Sequence, residues 1–146
     1  MADTDLMQLY SRRILALTTE IPHQGRLPAP QGSAMVRSPQ CGSSVTVDVV
    51  MADGRVAQFA QAVRACALGQ ASASVLGRAA IGLSADQIRA ARQQLARMLT
   101  QGGPPPAAPF ADLEALAPAR DYANRHASIL LAWDALLQAM TAAEAA

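Results

Sequence analysis

An α+β domain built on a small antiparallel sheet is the fold class that three features of the sequence predict. A period-two run flanks an Asp-Gly turn, helical runs lie before and after it, and no internal repeat is present. Val45, Val47 and Val49 alternate with Thr46 and Asp48; after Asp53-Gly54, a strong two-residue hairpin signal, a second run extends from Val56 to Val63. Ala34 to Arg37 supplies a third, shorter strand, so the sheet is expected over 34–63. The hairpin strands begin just after Cys41 and end just before Cys66. Antiparallel pairing therefore brings both thiols of the chain to the same end of the sheet.

The helices follow from spacing and end signals. Leu6, Leu9, Tyr10, Arg13, Ile14 and Leu17 keep one face, with Asp3 or Thr4 as N-cap, which predicts a helix over 4–18. Pro22, Gly25, Pro28, Pro30 and Gly32 then mark an extended surface loop, with His23 as a solvated loop residue. Leu68, Ala71, Val75 and Ala79 predict a helix over 66–78, whose Gly69, Ala71, Ser72 and Ala73 permit close approach to whatever the helix covers. Ser84 with Gln87 three residues on forms a capping-box pattern that opens a helix over 84–101, carrying Ile88, Ala91, Leu95, Met98 and Leu99. Gly102-Gly103-Pro104-Pro105-Pro106 ends it, and 102–109 reads as a stiff linker. A short helical turn is expected from Phe110 to Leu116. A long helix over 124–143 presents Ile129, Trp133, Leu136, Leu137 and Met140.

Composition narrows the function classes. At 146 residues and 51% hydrophobic content, the chain is expected to form one domain over 1–146. Aromatic residues are only 3%, so alanine and aliphatic side chains must supply the packing. Twelve basic residues against eleven acidic ones give a net charge of +1, too little field to draw in nucleic acid or an acidic membrane surface. No apolar stretch is long enough to span a bilayer. The acidic Met1-Ala2-Asp3-Thr4-Asp5 start is unlike a secretory or transit peptide, and two cysteines make no disulfide framework; both fit a cytoplasmic protein. There is no Gly-rich phosphate loop, no Ser-His-Asp arrangement and no paired carboxylates in a helical frame, so hydrolase readings are weak.

Cys66 is the residue on which the functional reading turns. The positive dipole end of a helix N-terminus, with Arg64 nearby, favours an anionic sulfur, making Cys66 a candidate nucleophile, sulfur acceptor or metal ligand. The bland alternative is a buried thiol behaving as a small hydrophobe. The segments Ser38-Pro39-Gln40-Cys41-Gly42-Ser43 and Ala65-Cys66-Ala67-Leu68-Gly69-Gln70-Ala71-Ser72-Ala73-Ser74 bear on that choice. They resemble the NifU-like family of iron-sulfur cluster assembly scaffolds, which includes the IscU-type and SufU-type proteins. In that family Asn-Pro-x-Cys-Gly-Asp and a segment close to Gly-Cys-Ala-Ile-Ser-Gln-Ala-Ser-Ala-Ser flank a hairpin.

The resemblance implies a SufE/NifU-like scaffold fold, with the site at one exposed end of the sheet. It implies a site of three cysteines and one aspartate, of which Cys41 and Cys66 match the first two cysteines. Ser43 stands where the aspartate would be. Against the SufU-type pattern ending Arg-x-Lys-Cys-Ala-x-Leu-x-Trp the third cysteine falls on Ser128; against the IscU-type His-Cys-Ser it falls on Ala127. His126 is a further candidate ligand, with a backbone-bonded helix histidine as the alternative. A neutral hydroxyl is a poor donor beside thiolate or imidazole, so the implied cargo is a transient iron-sulfur cluster or zinc, or no metal at all. The expected function is iron-sulfur cluster assembly, in which a non-enzymatic scaffold accepts sulfur or iron at Cys41 and Cys66 and passes the product on. The implied partners are a cysteine desulfurase and recipient apo-proteins, and the expected state is a monomer or weak homodimer. Two competing readings are a cluster-free paralogue that binds and regulates the desulfurase, and a thiol-dependent sulfur transferase using Cys66 as nucleophile with Cys41 resolving.

Overall fold

The computed structural model describes residues 10–39 and 42–146. Its order is α1 (Arg12–Thr18), β1 (Gly32–Arg37), β2 (Ser44–Ala52), β3 (Arg55–Arg64), α2 (Ala67–Ala79), α3 (Ala85–Gln101), 3-10 segments Ala111–Asp121 and Ala123–Arg125, and α4 (His126–Ala145). The three strands form one antiparallel sheet in the order β1-β2-β3. This is the predicted α+β class. Asp53 (φ 54°) and Gly54 (φ 74°) both occupy the left-handed region, as a two-residue hairpin turn requires.

One face of the sheet is the floor of the core. Val45, Val47 and Val49 point into it with Phe59 from β3, and α4 lies across β1 and β2. Gly32 makes that approach possible, because a Cβ there would run into the Ala139 carbonyl of α4. Trp133, Leu136 and Met140 of α4 are buried together with Leu68, Val75 and Leu76 of α2. Two polar bonds fix α2 against α4: Ser72 Oγ donates to the Ile129 carbonyl at 2.7 Å and accepts from Trp133 Nε1 at 3.0 Å. The capping box of α3 is present as read, with Ser84 Oγ accepting from Gln87 N and Gln87 Oε1 accepting from Ser84 N.

The segment between α1 and β1 is an extended loop, as expected, but it is bonded to the sheet along its course. Gly25 N donates to the Gln61 carbonyl and Gln61 N to the His23 carbonyl, so the loop lines the outer edge of β3. His23 is exposed and packs edge-on against Phe59, with ring centroids 5.8 Å apart. The loop then crosses the sheet face opposite α4 to reach Asp48. That buried carboxylate accepts four bonds: 2.7 and 3.1 Å from Arg26, 3.0 Å from Leu27 N and 2.6 Å from Ser33 Oγ. Burial is the largest single influence on its acidity and opposes ionisation. The bonds from Arg26, Ser33 and Leu27 with the Arg26 charge together outweigh it and hold the carboxyl below its ordinary value.

Several boundaries shift. The first helix begins at Arg12, because the Ser11 side chain accepts from Ile14 N and caps it there; positions 4–9 and the caps expected at Asp3 or Thr4 lie outside the described residues. The first strand starts two residues early, at Gly32. The short turn expected after Phe110 is an eleven-residue 3-10 segment with Pro118 inside it, where α-helical bonding would be interrupted. The last helix starts at His126 rather than 124, after a brief 3-10 turn.

Candidate functional site

The ladder pairs Ser44 with Arg64, so the start of β2 and the end of β3 lie side by side. The loop before β2 is closed on itself: Ser38 N donates to the Ser43 carbonyl at 2.8 Å and Gly42 N to the Ser38 carbonyl at 3.0 Å. Both serines are buried, 1% and 5% exposed. Two residues beyond β3, Cys66 is the N-cap of α2, half-buried, and its side chain makes no capping bond to its own helix. Ser128, in the first turn of α4, is 1% exposed and faces both.

These side chains form a chain of contacts. Cys66 Sγ lies 3.5 Å from Ser128 Oγ, and Ser128 Oγ donates to Ser43 Oγ at 3.2 Å. With the Ser128 proton committed to Ser43, the thiol of Cys66 donates to Ser128; when the sulfur is anionic, the same hydroxyl can turn and donate to it. Gly69 is what lets α4 come this near, because a Cβ at that position would sit 2.7 Å from Ser128 Oγ. The small residues predicted to allow close approach of α2 do so here.

The N-termini of α2 and α4 converge on this pair, and neither helix carries an acidic residue in its first turn. Their positive dipole ends are left without a counter-charge from their own helices, an arrangement that suits an anionic guest.

Of the predicted site residues, Ser43, Cys66 and Ser128 are brought together, while Cys41 lies outside the described residues. Between the two alignments for the third cysteine position, geometry separates Ser128, buried against Cys66, from Ala127, which is exposed. His126 makes a backbone bond, its Nε2 lying 2.8 Å from the Ala119 carbonyl, which leaves Nδ1 as the nitrogen not so engaged. Two positions apart on a helix, His126 and Ser128 project in nearly opposite directions. Among the described residues no group of three or more His, Cys, Asp or Glu side chains could hold a metal ion, and a thiol with two neutral hydroxyls is not a closed donor set. Neither the bond between Ser43 and Ser128 nor the Ser72 bridge to Trp133 has a signal in the sequence, since they join residues 85 and 61 positions apart.

The model of the NifU-like N-terminal domain matches residues 9–142. The chain belongs to the NifU-like family. The crystal structure of a nitrogen-fixing NifU-like protein (N-terminal) from Brucella abortus is similar at 45% identity and a TM-score of 0.93, covering 97% of this chain and 98% of that one. IscU of Streptococcus pyogenes serotype M1, an iron-sulfur cluster assembly scaffold protein, is 25% identical over 140 residues, 96% of this chain and 87% of the relative. A scaffold protein of the SUF system from Fervidobacterium islandicum AW-1 shares the fold, with a TM-score of 0.81 at 19% identity over 92% of this chain and 98% of that one. This NifU-like chain is thus a member of the iron-sulfur cluster assembly scaffold family, whose cargo is a transient iron-sulfur cluster. No helix among its described residues is long and apolar enough to cross a membrane.

Proposed function

We propose that this NifU-like protein works in iron-sulfur cluster assembly as a sulfur acceptor, taking sulfur at Cys66 from a cysteine desulfurase and passing it on with iron to recipient apo-proteins. The observation that carries this reading is the contact of Cys66 with Ser128 at the meeting point of two helix N-termini. The Cys66 thiolate attacks the outer sulfur of the donor persulfide and forms a new S–S bond. The donor's own S–S bond breaks, the donor cysteine leaves as a thiolate, and the proton of the outer sulfur is retained on the new persulfide or released to solvent. This transfer needs no external oxidant or reductant; conversion of the transferred sulfur to cluster sulfide takes two electrons per sulfur from a separate thiol or electron-transfer reductant. Ser128 serves as hydrogen-bond donor to the attacking sulfur.

Replacement of a carboxylate and a thiolate by Ser43 and Ser128 favours loose over tight retention of cargo, because hydroxyls compete poorly for zinc or iron. Cys41 is then the second donor, and a cluster carried here completes its ligand set from outside these residues, from a recipient or a second copy. The same replacement supports a second reading, a cluster-free desulfurase regulator in which Cys66 is dispensable for binding.

The test is intact-mass measurement after anaerobic incubation with a cysteine desulfurase and cysteine. Wild type is expected to gain sulfur in a form removed by reductant, Cys66→Ser to gain none at that site, and Cys41→Ser to retain the gain. Equal sulfur on wild type and Cys66→Ser overturns the assignment.

A further inference from the structure

The described residues cover only half of the sheet face turned away from α4. Asp48, opposite Ser33 and Ala60 in the ladder, lies beneath Arg26 and Leu27, and nearer the site the loop bonds β3 through Gln24 Oε1, which accepts from Val63 N at 3.0 Å along the outer edge. The next cross-strand row is Met35, Thr46 and Ala62, and the one after it is Arg37, Ser44 and Arg64. Met35 is 56% exposed, and both arginines are exposed. Five of the twelve arginines pair with a carboxylate; Arg37 and Arg64 are among the seven that have no such partner among the described residues, and the ladder places these two in one cross-strand row. They lie on one face two strands apart, about 10 Å by ordinary strand spacing. Two unpaired cations held side by side on a rigid sheet repel mildly, an arrangement that an incoming anionic group would relieve.

We propose that this open half of the sheet docks an acidic segment of the protein that donates sulfur to Cys66, its carboxylates meeting Arg37 and Arg64 and an apolar side chain resting on Met35 and Ala62. The inference rests on the reading of Cys66 as sulfur acceptor, since that reading brings a donor protein to this end of the molecule. Charge complementarity selects an acidic partner, and the surface selects a protein. A pleated sheet face with an exposed methionine suits a macromolecular contact, where Arg and Met are enriched, better than a small anion, which binds in a concavity. Arg64 stands two residues before Cys66, so a segment seated on it lies within a few residues' reach of the thiol.

The test separates docking from chemistry. In a Cys66→Ser background, the affinity for a cysteine desulfurase is measured by calorimetry for the parent and for Arg37→Glu, Arg64→Glu, the double reversal and an Arg97→Glu control on exposed α3. The double reversal is expected to weaken binding about tenfold or more and to abolish its salt dependence, with the control unchanged. Unchanged affinity of the double reversal, or no binding by the parent, overturns the proposal. So does loss of self-association alone, which assigns the face to a second copy. Sulfur loading of wild-type Cys66 from a small-molecule persulfide is measured in parallel. If that loading succeeds while the reversal leaves desulfurase affinity intact, docking alone fails; if wild type takes sulfur from neither donor, the acceptor reading fails.

Discussion

Cys66 Sγ and Ser128 Oγ stand 3.5 Å apart across the N-termini of α2 and α4. Thiolates around tetrahedral zinc, with Zn–S bonds of about 2.3 Å, lie about 3.8 Å from one another. The contact is close to that spacing, with a neutral hydroxyl in place of a second thiolate. Ser43→Asp combined with Ser128→Cys should create a zinc site that survives desalting and chelator challenge, with thermal stability rising on zinc addition. Wild type should lose its metal under the same treatment. Equal zinc retention by both proteins contradicts this account of the serines.

Gly69→Ala sets two effects against each other. Alanine favours the helix by about 1 kcal/mol, but its Cβ would fall 2.7 Å from Ser128 Oγ on α4 and 2.8 Å from the Ala65 side chain in the link between β3 and α2. Overpacking should win, with a net loss of roughly 1–2 kcal/mol in urea unfolding. The same variant should slow sulfur loading of Cys66, whereas Ala67→Gly on the more open side of the helix should not.

Ser72→Ala leaves the Trp133 Nε1 donor buried without its partner. The expected cost is about 1–3 kcal/mol. Trp133 is the sole tryptophan of the chain, so its fluorescence reports the change directly. Unaltered emission and stability would show that the bond contributes little.

Acid should loosen the loop that crosses the sheet. Asp48 has its folded-state acidity strengthened, so its contribution is present above the unfolded value of about 3.9 and is lost as pH falls below it. Wild type should therefore lose stability faster than Asp48→Asn as pH drops from about 5 to 3. At neutral pH the variant should be less stable by roughly 1–3 kcal/mol, with Ser33 and Leu27 N losing a charged acceptor. Parallel pH profiles for the two proteins contradict the assignment.

What the sequence made legible was local. Alternating valines around Asp53-Gly54 gave the hairpin, Ser84 with Gln87 gave the start of α3, and the small residues after Cys66 gave a helix able to lie close to α4. Long-range partners were not legible. The alternation puts Asp48 on the face opposite Val47 and Val49, but nothing nearby in sequence says that Arg26 covers it from 22 residues upstream. Ser43 and Ser128, 85 residues apart, could be aligned to lost ligand positions, yet their bond to each other depends on how α4 crosses the sheet. His126 offered both a ligand and a backbone-bonded reading, and its bond to the Ala119 carbonyl of the 3-10 segment, seven residues upstream, was not legible in the sequence.

The most direct test of the central claim is anaerobic reconstitution with ferrous iron, cysteine and a cysteine desulfurase, with iron and sulfur quantified on desalted wild type, Cys66→Ser and Cys41→Ser. The account predicts reductant-releasable sulfur on wild type and Cys41→Ser, its loss in Cys66→Ser, and iron well below one equivalent throughout. Sulfur uptake independent of Cys66, or a tightly retained stoichiometric iron-sulfur cluster on wild type, would contradict it.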